Sequence, residues 1–283
     1  MKYTIFYRNY MKYCNYKCGY CPFSKYSLDE IKIHRDKRYF QKFIEYIEKS
    51  NDEFNIFIAP RGELLNFDYY KYGIEKLSHL NNIGEVVIQT NLSSDLNWIN
   101  KVDKEKLILW TTYHPSEVSL DKFYCKVNKL SKLGIRFTVG AVGIKENLSI
   151  LAELKEKIDE ISEYKPYMWI NAYKDKINYY SKEDVEFIKK IDSLFEFNVK
   201  NYKCKNLLCK AGENVFWVQG NGTIHRCYKN KVKLGNLYKD KLEDIKKEEV
   251  CQSNLCTCYI GYTNIKNLNL DNIYKTSILG RIP

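Results

Sequence analysis

The sequence predicts an α/β protein with a partial barrel of six parallel strands and a small cysteine-rich C-terminal domain. Three observations support this fold class. Short β-rich runs alternate with amphipathic helical stretches over residues 1–200, and most of the ten cysteines form one group near each end of the chain. Helical periodicity also disappears after Asn201. With 283 residues, the chain has room for one large domain and a small one.

Six β-rich runs are predicted as the strands of the barrel: Lys2–Tyr7, Phe54–Ala59, Glu85–Thr90, Leu107–Tyr113, Ile135–Val142 and Tyr167–Ala172. The segments with helical periodicity are 38–49, 67–79, 94–101, 119–133, 146–162 and 181–193. In the fourth of these, apolar residues recur at spacings of three and four, and Gly134 follows as a stop. Six βα units require a parallel sheet with right-handed crossovers, and ligands of such barrels collect at the carboxyl ends of the strands.

The C-terminal part has a different pattern. Val215–Gln219 and Thr223–Cys227 alternate in polarity around a Gly-Asn-Gly turn, which predicts a β-hairpin. We therefore expect three regions: a barrel at 1–200, a hairpin-containing metal domain at 201–262 and a tail at 263–283.

The amino-acid composition excludes several classes of protein. The chain is 45% hydrophobic and 29% charged, which excludes collagen-like, low-complexity and disordered proteins. No apolar run approaches the roughly 20 residues that cross a bilayer, and the first ten residues lack a signal-peptide core, so a cytoplasmic protein is expected. Ten cysteines in such a chain favour metal binding over disulfides.

The formal net charge of +11 raises the question of a nucleic-acid partner. Lysines are scattered through nearly every segment and arginines are few, so no basic patch stands out. Cysteines that bind metal as thiolates would also remove part of the excess charge. Nucleic-acid binding is therefore not the favoured interpretation.

The first cysteine group, Cys14, Cys18 and Cys21, lies in a loop directly after the first predicted strand. Three thiolates on a short loop can hold three irons of a [4Fe-4S] cluster and leave the fourth iron open for chemistry. A structural zinc site is the alternative, and it would need a fourth ligand, for which His34 is the nearby histidine.

The three-then-two spacing of these cysteines, with the aromatic residue Tyr20 before the last one, resembles the radical S-adenosylmethionine (SAM) superfamily. Further along, residues 60–63 (Pro-Arg-Gly-Glu) are similar to that family's Gly-Gly-Glu turn, with Arg61 in place of the first glycine. The resemblance implies that Gly62 and Glu63 receive the amino group of SAM.

Other segments that follow predicted strands extend the resemblance. Residues 89–91 (Gln-Thr-Asn) are similar to the segment that approaches the ribose and carboxylate of SAM, and residues 140–146 to the turn beside the adenine. Together with Tyr20, Gly62 and Glu63, the cofactor-binding candidates are Thr90, Asn91, Gly140, Gly143 and Asn171.

This resemblance implies a mechanism. SAM chelates the open iron, and one electron from the reduced cluster cleaves its carbon–sulfur bond to give methionine and a 5′-deoxyadenosyl radical. The radical takes a hydrogen atom from a substrate carbon, which the protein positions away from water. His114, at the end of the fourth strand, is the candidate catalytic residue because an unperturbed histidine titrates near neutrality. A histidine fixed by a backbone carbonyl at a strand end is an equally ordinary interpretation.

The second cysteine group resembles the auxiliary-cluster domain of the superfamily in its short twitch form rather than the longer SPASM form. Cys209 and Cys227 flank the predicted hairpin, and Cys251, Cys256 and Cys258 follow, so five candidates compete for four places on an auxiliary [4Fe-4S] cluster. The resemblance favours Cys209, Cys227, Cys256 and Cys258, with Cys251 as the substitute. A zinc ribbon is the alternative. Cys125 and Cys204 are expected to be unliganded.

Several short segments, among them 88–93, 112–115, 234–238 and 258–262, together look like one small bacterial subfamily of unassigned reaction. Its members are typically encoded in a cassette with a second radical SAM protein, an ATP-grasp-like protein and a phosphatase-like protein. This subfamily resemblance implies a cassette and not a substrate. Because radical SAM relatives with auxiliary clusters often modify peptides, the leading hypothesis is hydrogen abstraction from a peptide or protein substrate, with an external one-electron reductant such as flavodoxin or ferredoxin. The alternatives are dehydrogenation of a small polar metabolite and a non-enzymatic iron–sulfur or RNA-binding protein.

Overall fold

The computed structural model describes residues 1–23, 27–230 and 232–283. Six parallel strands pair in sequence order, each with the next. They are β1 (Lys2–Arg8), β2 (Glu53–Ile58), β3 (Ile83–Thr90), β4 (Leu107–Tyr113), β5 (Arg136–Val142) and β6 (Met168–Asn171). All six predicted strands are present, and the molecule has the α/β partial-barrel architecture that the sequence predicted.

Helices cover the outer face of this sheet. They are α1 (Glu30–Lys49), α2 (Asp68–Ser78), α3 (Leu120–Lys132), α4 (Leu148–Asp159), α5 (Lys182–Ile191) and the short α6 (Phe195–Val199). The bounds of α3 match the prediction closely, and Gly134 follows it with a φ of 65°, as expected for a helix stop. The helix predicted to begin at residue 38 instead begins at Glu30, because the Asp29 side chain caps it by accepting from the Lys32 N–H.

The predicted helix at 94–101 is wrong. This connection between β3 and β4 forms only a short 3₁₀ helix at Asn97–Lys101. The Asp95 carboxylate accepts a hydrogen bond from the backbone N–H of Asn97 at 3.0 Å. Serine, aspartate and asparagine side chains compete in this way with helical backbone bonds, so the segment turns rather than forming an α-helix.

The C-terminal part adds strands β7 (Tyr202–Lys203), β8 (Val215–Gln219), β9 (Thr223–His225), β10 (Lys233–Asn236) and β11 (Leu255–Cys256), and helices α7 (Leu242–Ile245) and α8 (Tyr259–Tyr262). Strands β8 and β9 form the predicted hairpin. Strand β8 also pairs in parallel with β1, so one sheet runs in the order β10-β9-β8-β1-β2-β3-β4-β5-β6. This sheet crosses the boundary predicted after residue 200.

Apolar residues alternate between the two faces of the sheet, as a sheet covered on both sides requires. One set packs under the helices, and the other fills the concave interior. The interior set includes residues from the segment predicted as a tail: Leu270, Tyr274, Leu279 and Ile282. Residues 263–283 therefore form part of the core, and they close the barrel end opposite the carboxyl ends of the strands, since Gly280 lies against Ile108 near the start of β4.

No helix within the described residues is both long and apolar enough to cross a membrane.

Candidate active site

A cavity of about 450 Å³ opens at the carboxyl ends of the parallel strands. Its size is within the usual range for small-ligand sites, roughly 300–1,000 Å³. It brings together most of the residues that the sequence indicated for the first metal site and for SAM. Those that line it are Cys14, Cys18, Tyr20, Cys21, Gly62, Glu63, Thr90, Asn91, His114 and Asn171.

The loop that carries the three cysteines is anchored at its start by α1. The buried carboxylate of Asp36 accepts hydrogen bonds from the Met11 N–H at 2.6 Å and from the Tyr70 hydroxyl at 2.7 Å. The backbone carbonyl of Asp36 accepts a hydrogen bond from the Asn9 side-chain amide at 2.7 Å. These bonds fix the path of the chain as it leaves β1 and enters the cysteine loop.

The turn after β2 packs directly against the cysteine loop. The Glu63 N–H donates to the Tyr13 carbonyl at 2.9 Å. A Cβ on Gly62 would lie only 1.9 Å from the same carbonyl oxygen. Glycine is therefore required at this position because the two backbones are in contact.

Glu63 is buried, and three donors already hold its carboxylate. They are the Leu65 N–H at 3.1 Å, the Thr90 hydroxyl at 3.0 Å and the Asn91 N–H at 2.5 Å. A carboxylate has about four acceptor positions, so one remains for a donor in the cavity. Burial raises the pKa of Glu63 to about 7, although its hydrogen bonds oppose this shift.

The loop after β3 is tied to the cysteine loop and to α3. The Asn91 amide donates to the Asn15 side chain at 3.1 Å and lies 3.8 Å from the Cys14 sulfur. The Lys126 ammonium on α3 donates to three successive carbonyls of this loop, at Leu92, Ser93 and Ser94. Asn91 is thus held beside the first cysteine by a fixed loop.

His114 lies against the cysteine loop. Its Nδ1 is 2.6 Å from the Tyr20 hydroxyl and 3.4 Å from the Cys18 sulfur. Burial lowers the pKa of His114 to about 4, so the expected near-neutral pKa is wrong for this environment. The neutral ring and the Tyr20 hydroxyl therefore share a hydrogen bond at Nδ1.

Burial also affects the thiols of the loop. It raises the pKa of Cys14, and it raises the pKa of Cys18 to about 11. In the absence of a metal these two groups are therefore protonated thiols at neutral pH, and metal binding would release their protons.

Gly140 and Gly143 lie outside the cavity lining. A Cβ on Gly140 would lie 2.1 Å from the Trp169 ring, and a Cβ on Gly143 would lie 2.8 Å from the Tyr180 hydroxyl. Both glycines make room for packed aromatic side chains. Between them, Ala141 and Val142 line the cavity at the place where the sequence suggested an adenine contact.

The C-terminal cysteines are gathered by the pairing of β7 with β11. The Cys204 sulfur lies 3.6 Å from that of Cys251. Burial, followed by the nearby thiols of Cys204, Cys258 and Cys227, raises the pKa of Cys256 to about 12. Cys209 also lies close enough to Cys227 and Cys251 for their charges to raise its pKa, although burial has the larger effect.

Cys258 connects this cysteine group to the cavity, because it lines the cavity wall. Two cations lie near its sulfur, Arg8 and Lys174. The Lys174 ammonium donates to the Lys200 and Thr257 carbonyls at 2.8 and 3.0 Å, and burial lowers its pKa to about 8.

Sequence reasoning missed several residues that the structure places here. Arg8, Lys174 and Arg281 line the cavity, and Cys204 lies among the C-terminal thiols. Only the strand-end position of Arg8 is visible as a local pattern in the sequence. Cys125 is exposed on α3, away from both cysteine groups.

The residues of the first site fit a [4Fe-4S] cluster with SAM. The fit rests on the donor set: three thiols of one short loop line a cavity that also holds a buried carboxyl group with an acceptor position to spare. Within residues 1–23, 27–230 and 232–283, no three cysteine, histidine or carboxylate groups converge as they would around a single metal ion.

No protein-family profile matches the sequence, and no curated protein matches it. Comparison of three-dimensional structures does find similar solved structures. The structure of anSMEcpe with bound SAM and the Kp18Cys peptide aligns with a TM-score of 0.57 and 14% identity, over 88% of this chain and 81% of that one. Both anSMEcpe and SuiB, described next, are radical SAM enzymes.

The structure of Streptococcus suis SuiB bound to S-adenosylmethionine aligns with a TM-score of 0.59 and 14% identity, over 87% of this chain and 66% of that one. SuiB bound to its precursor peptide SuiA aligns with a TM-score of 0.57. The chain shares the fold of these two enzymes.

Proposed function

We propose that this protein is a radical SAM enzyme whose [4Fe-4S] cluster is held by Cys14, Cys18 and Cys21. The observation that carries the proposal is the shared cavity, in which these three thiols lie with Glu63 and Asn91 at the carboxyl ends of the strands. Radical SAM enzymes of the same fold are known with bound SAM, which supports the assignment. When bound, the reduced cluster would supply the electron that cleaves SAM to methionine and a 5′-deoxyadenosyl radical.

The chain's own residues would bind and orient SAM. Glu63 keeps an acceptor position for the ammonium group, and the Thr90 and Asn91 bonds hold its carboxylate in place. Ala141 and Val142 offer an apolar wall that suits an adenine ring. Asn171 lines the cavity at the end of β6 and offers an amide to the nucleoside.

His114 would act as a positioning residue for the cysteine loop. Its ring is neutral and its Nδ1 is hydrogen-bonded to the Tyr20 hydroxyl, so it holds the loop between Cys18 and Cys21 against the end of β4. A role in substrate binding through Nε2 is compatible with this contact, whereas a role as a general acid at neutral pH is not.

The second part of the proposal is an auxiliary [4Fe-4S] cluster in a twitch-like domain. Its ligands would come from Cys209, Cys227, Cys251, Cys256 and Cys258, and the position of Cys204 beside Cys251 adds a sixth candidate thiol. Cys258 lies in the cavity wall, so this cluster would be next to the substrate rather than remote from it.

The substrate would be a peptide or protein, modified after translation or during natural-product maturation. Two similar structures contain peptides: anSMEcpe with the Kp18Cys peptide, and SuiB with its precursor peptide SuiA. An external one-electron reductant, such as flavodoxin or ferredoxin, would reduce the cluster, and proteins encoded in the same cassette would supply the substrate or process it further.

Iron content tests the two-cluster assignment. Anaerobically reconstituted protein should contain about eight irons per chain, four for each cluster. Replacing Cys14, Cys18 and Cys21 together with Ala should leave about four, and so should replacing Cys227 and Cys256 together. About four irons with one zinc in the unmodified protein would contradict the auxiliary cluster and favour a zinc ribbon.

A further inference from the structure

Arg281 lies at the floor of the cavity, and its side chain is only 2% exposed. The guanidinium carbon is 4.3 Å from the centre of the Trp169 ring and 4.4 Å from the centre of the Tyr259 ring. It also lies 5.9 Å from the Trp110 ring. Aromatic rings on several sides favour the positive charge, but they do not use the N–H donors of the guanidinium.

No carboxylate forms an ion pair with Arg281 within the described part of the chain. Asp192 contributes to its electrostatic environment, but the Asp192 carboxylate accepts hydrogen bonds from other groups: the Ile170 N–H, the Leu194 N–H and the Tyr167 hydroxyl. Tyr274 is a hydrogen-bond partner of the guanidinium. The buried Nε of Arg281 has no hydrogen-bond partner among the described residues.

A buried cation without a paired carboxylate destabilises a folded protein, because its desolvation is not compensated. Natural proteins violate such rules chiefly at functional sites, where a bound ligand can supply the missing partner. An arginine keeps its proton at any physiological pH, and its planar fork matches a carboxylate with two parallel hydrogen bonds.

The depth of Arg281 separates it from the SAM contacts. Its guanidinium lies near the rings of Trp169 and Trp110, which are two and three residues before the ends of β6 and β4. One strand residue spans about 3.3 Å, so these two residues lie roughly 7–10 Å back from the strand ends that the cysteine loop follows. A substrate that reached into the barrel beneath SAM would meet the guanidinium.

We propose that Arg281 binds a carboxylate group of the substrate at the floor of the cavity. This inference rests on the proposed function, because it assumes that the cavity holds a substrate in addition to SAM. This carboxylate could come from the substrate, as an acidic group or a C-terminus, or from the methionine part of SAM. We assign it to the substrate. The experiment below distinguishes them.

The test is isothermal titration calorimetry of the reconstituted holoprotein, saturated with SAM, with hexanoate and with its neutral analogue hexanamide at constant ionic strength. The unmodified protein should bind hexanoate about tenfold more tightly than hexanamide. Arg281→Gln should abolish this preference, and Arg281→Lys should keep part of it. The matched control is Arg35→Gln, which removes an exposed arginine on α1 and should bind hexanoate like the unmodified protein.

The inference would be overturned if the unmodified protein bound hexanoate and hexanamide equally tightly. This comparison needs no variant, so the test remains valid even if Arg281→Gln fails to fold. Unchanged hexanoate binding in a folded Arg281→Gln protein would also overturn it. A tenfold loss of SAM affinity in that variant would assign Arg281 to the SAM carboxylate instead. Failure of the proposed function would appear separately, as absence of SAM cleavage in the unmodified protein.

Discussion

The carboxyl group of Glu63 is buried at the turn after β2, yet it accepts three hydrogen bonds from the chain. Burial has the larger effect on its pKa, which is raised to about 7 from an ordinary 4.5. Between these two values the folded protein retains a proton that the unfolded chain has released, so stability falls as the pH rises. A cationic partner in the cavity would reverse this cost by favouring the carboxylate.

We predict that Glu63→Gln removes the part of this pH-dependent loss of stability that comes from Glu63. Measured by urea unfolding without SAM, the stability of the unmodified protein relative to the variant should fall by about 3 kcal/mol from pH 4.5 to 7, at about 1.36 kcal/mol per pKa unit, and then remain constant. Other buried acids are the same in both proteins, so their contributions cancel. A difference that is independent of pH would contradict the environment described for Glu63.

At the scale of elements, the site depends on contact between two loops that follow neighbouring strands. The turn after β2 contacts the cysteine loop through Gly62, where a side chain would collide with the Tyr13 carbonyl. The cysteine loop also contains Gly19, but there a Cβ would meet no atom of the described residues within 4 Å. Gly19 therefore serves as a control for a substitution at Gly62.

Gly62→Ala should displace the cysteine loop, lowering stability by about 1–3 kcal/mol and reducing the iron bound after reconstitution. Gly19→Ala should leave both quantities close to those of the unmodified protein. Thermal unfolding and iron analysis check the two variants side by side. Equal iron content in both would show that the backbone contact at Tyr13 does not shape the metal site.

At the scale of the whole molecule, the last fourteen residues hold the interior of the barrel together. Leu270 and Tyr274 are buried in the interior cluster, and the Ser277 hydroxyl donates to the Glu85 carboxylate at the start of β3, at 2.8 Å. Gly280 lies against Ile108. These contacts join residues 270–283 to β3 and β4, which lie far from them in the sequence.

Deleting residues 270–283 should destabilise the protein by about 5 kcal/mol or more, since several fully buried side chains contribute about 1.5–3 kcal/mol each. A loss of this size is comparable to the whole stability of a domain, so the truncated chain should not fold cooperatively. Deleting the exposed Pro283 alone is the control. Circular dichroism during thermal unfolding checks both, and a cooperative transition in the long deletion would refute this account of the interior.

Local patterns predicted much of this architecture. The alternation of β-rich and helical segments predicted the six strands, because buried parallel strands and amphipathic helices each have their own periodicity. The cysteine loop, Glu63 and Asn91 were recognisable because they resemble motifs of the radical SAM superfamily and because each follows a strand that ends at the same edge of the sheet. The 3₁₀ connection at 97–101 was not, since side-chain bonds of Asp95 override its helical pattern.

The interior position of residues 263–283 had no local signal. It depends on contacts between residues more than a hundred positions apart, such as Gly280 with Thr138. The parallel pairing of β8 with β1 is also long-range, so the sequence indicated the hairpin but not its place in the barrel sheet. Arg281 was invisible as a site residue for the same reason.

The most direct test of the central claim is formation of 5′-deoxyadenosine when the anaerobically reconstituted protein is reduced with dithionite in the presence of SAM. The account predicts slow formation without any substrate, its loss when Cys14, Cys18 and Cys21 are replaced together with Ala, and its persistence in Cys227→Ala. Absence of 5′-deoxyadenosine from the unmodified protein with a full complement of iron, or its undiminished formation by the triple variant, would contradict the claim that these three cysteines hold a SAM-cleaving cluster.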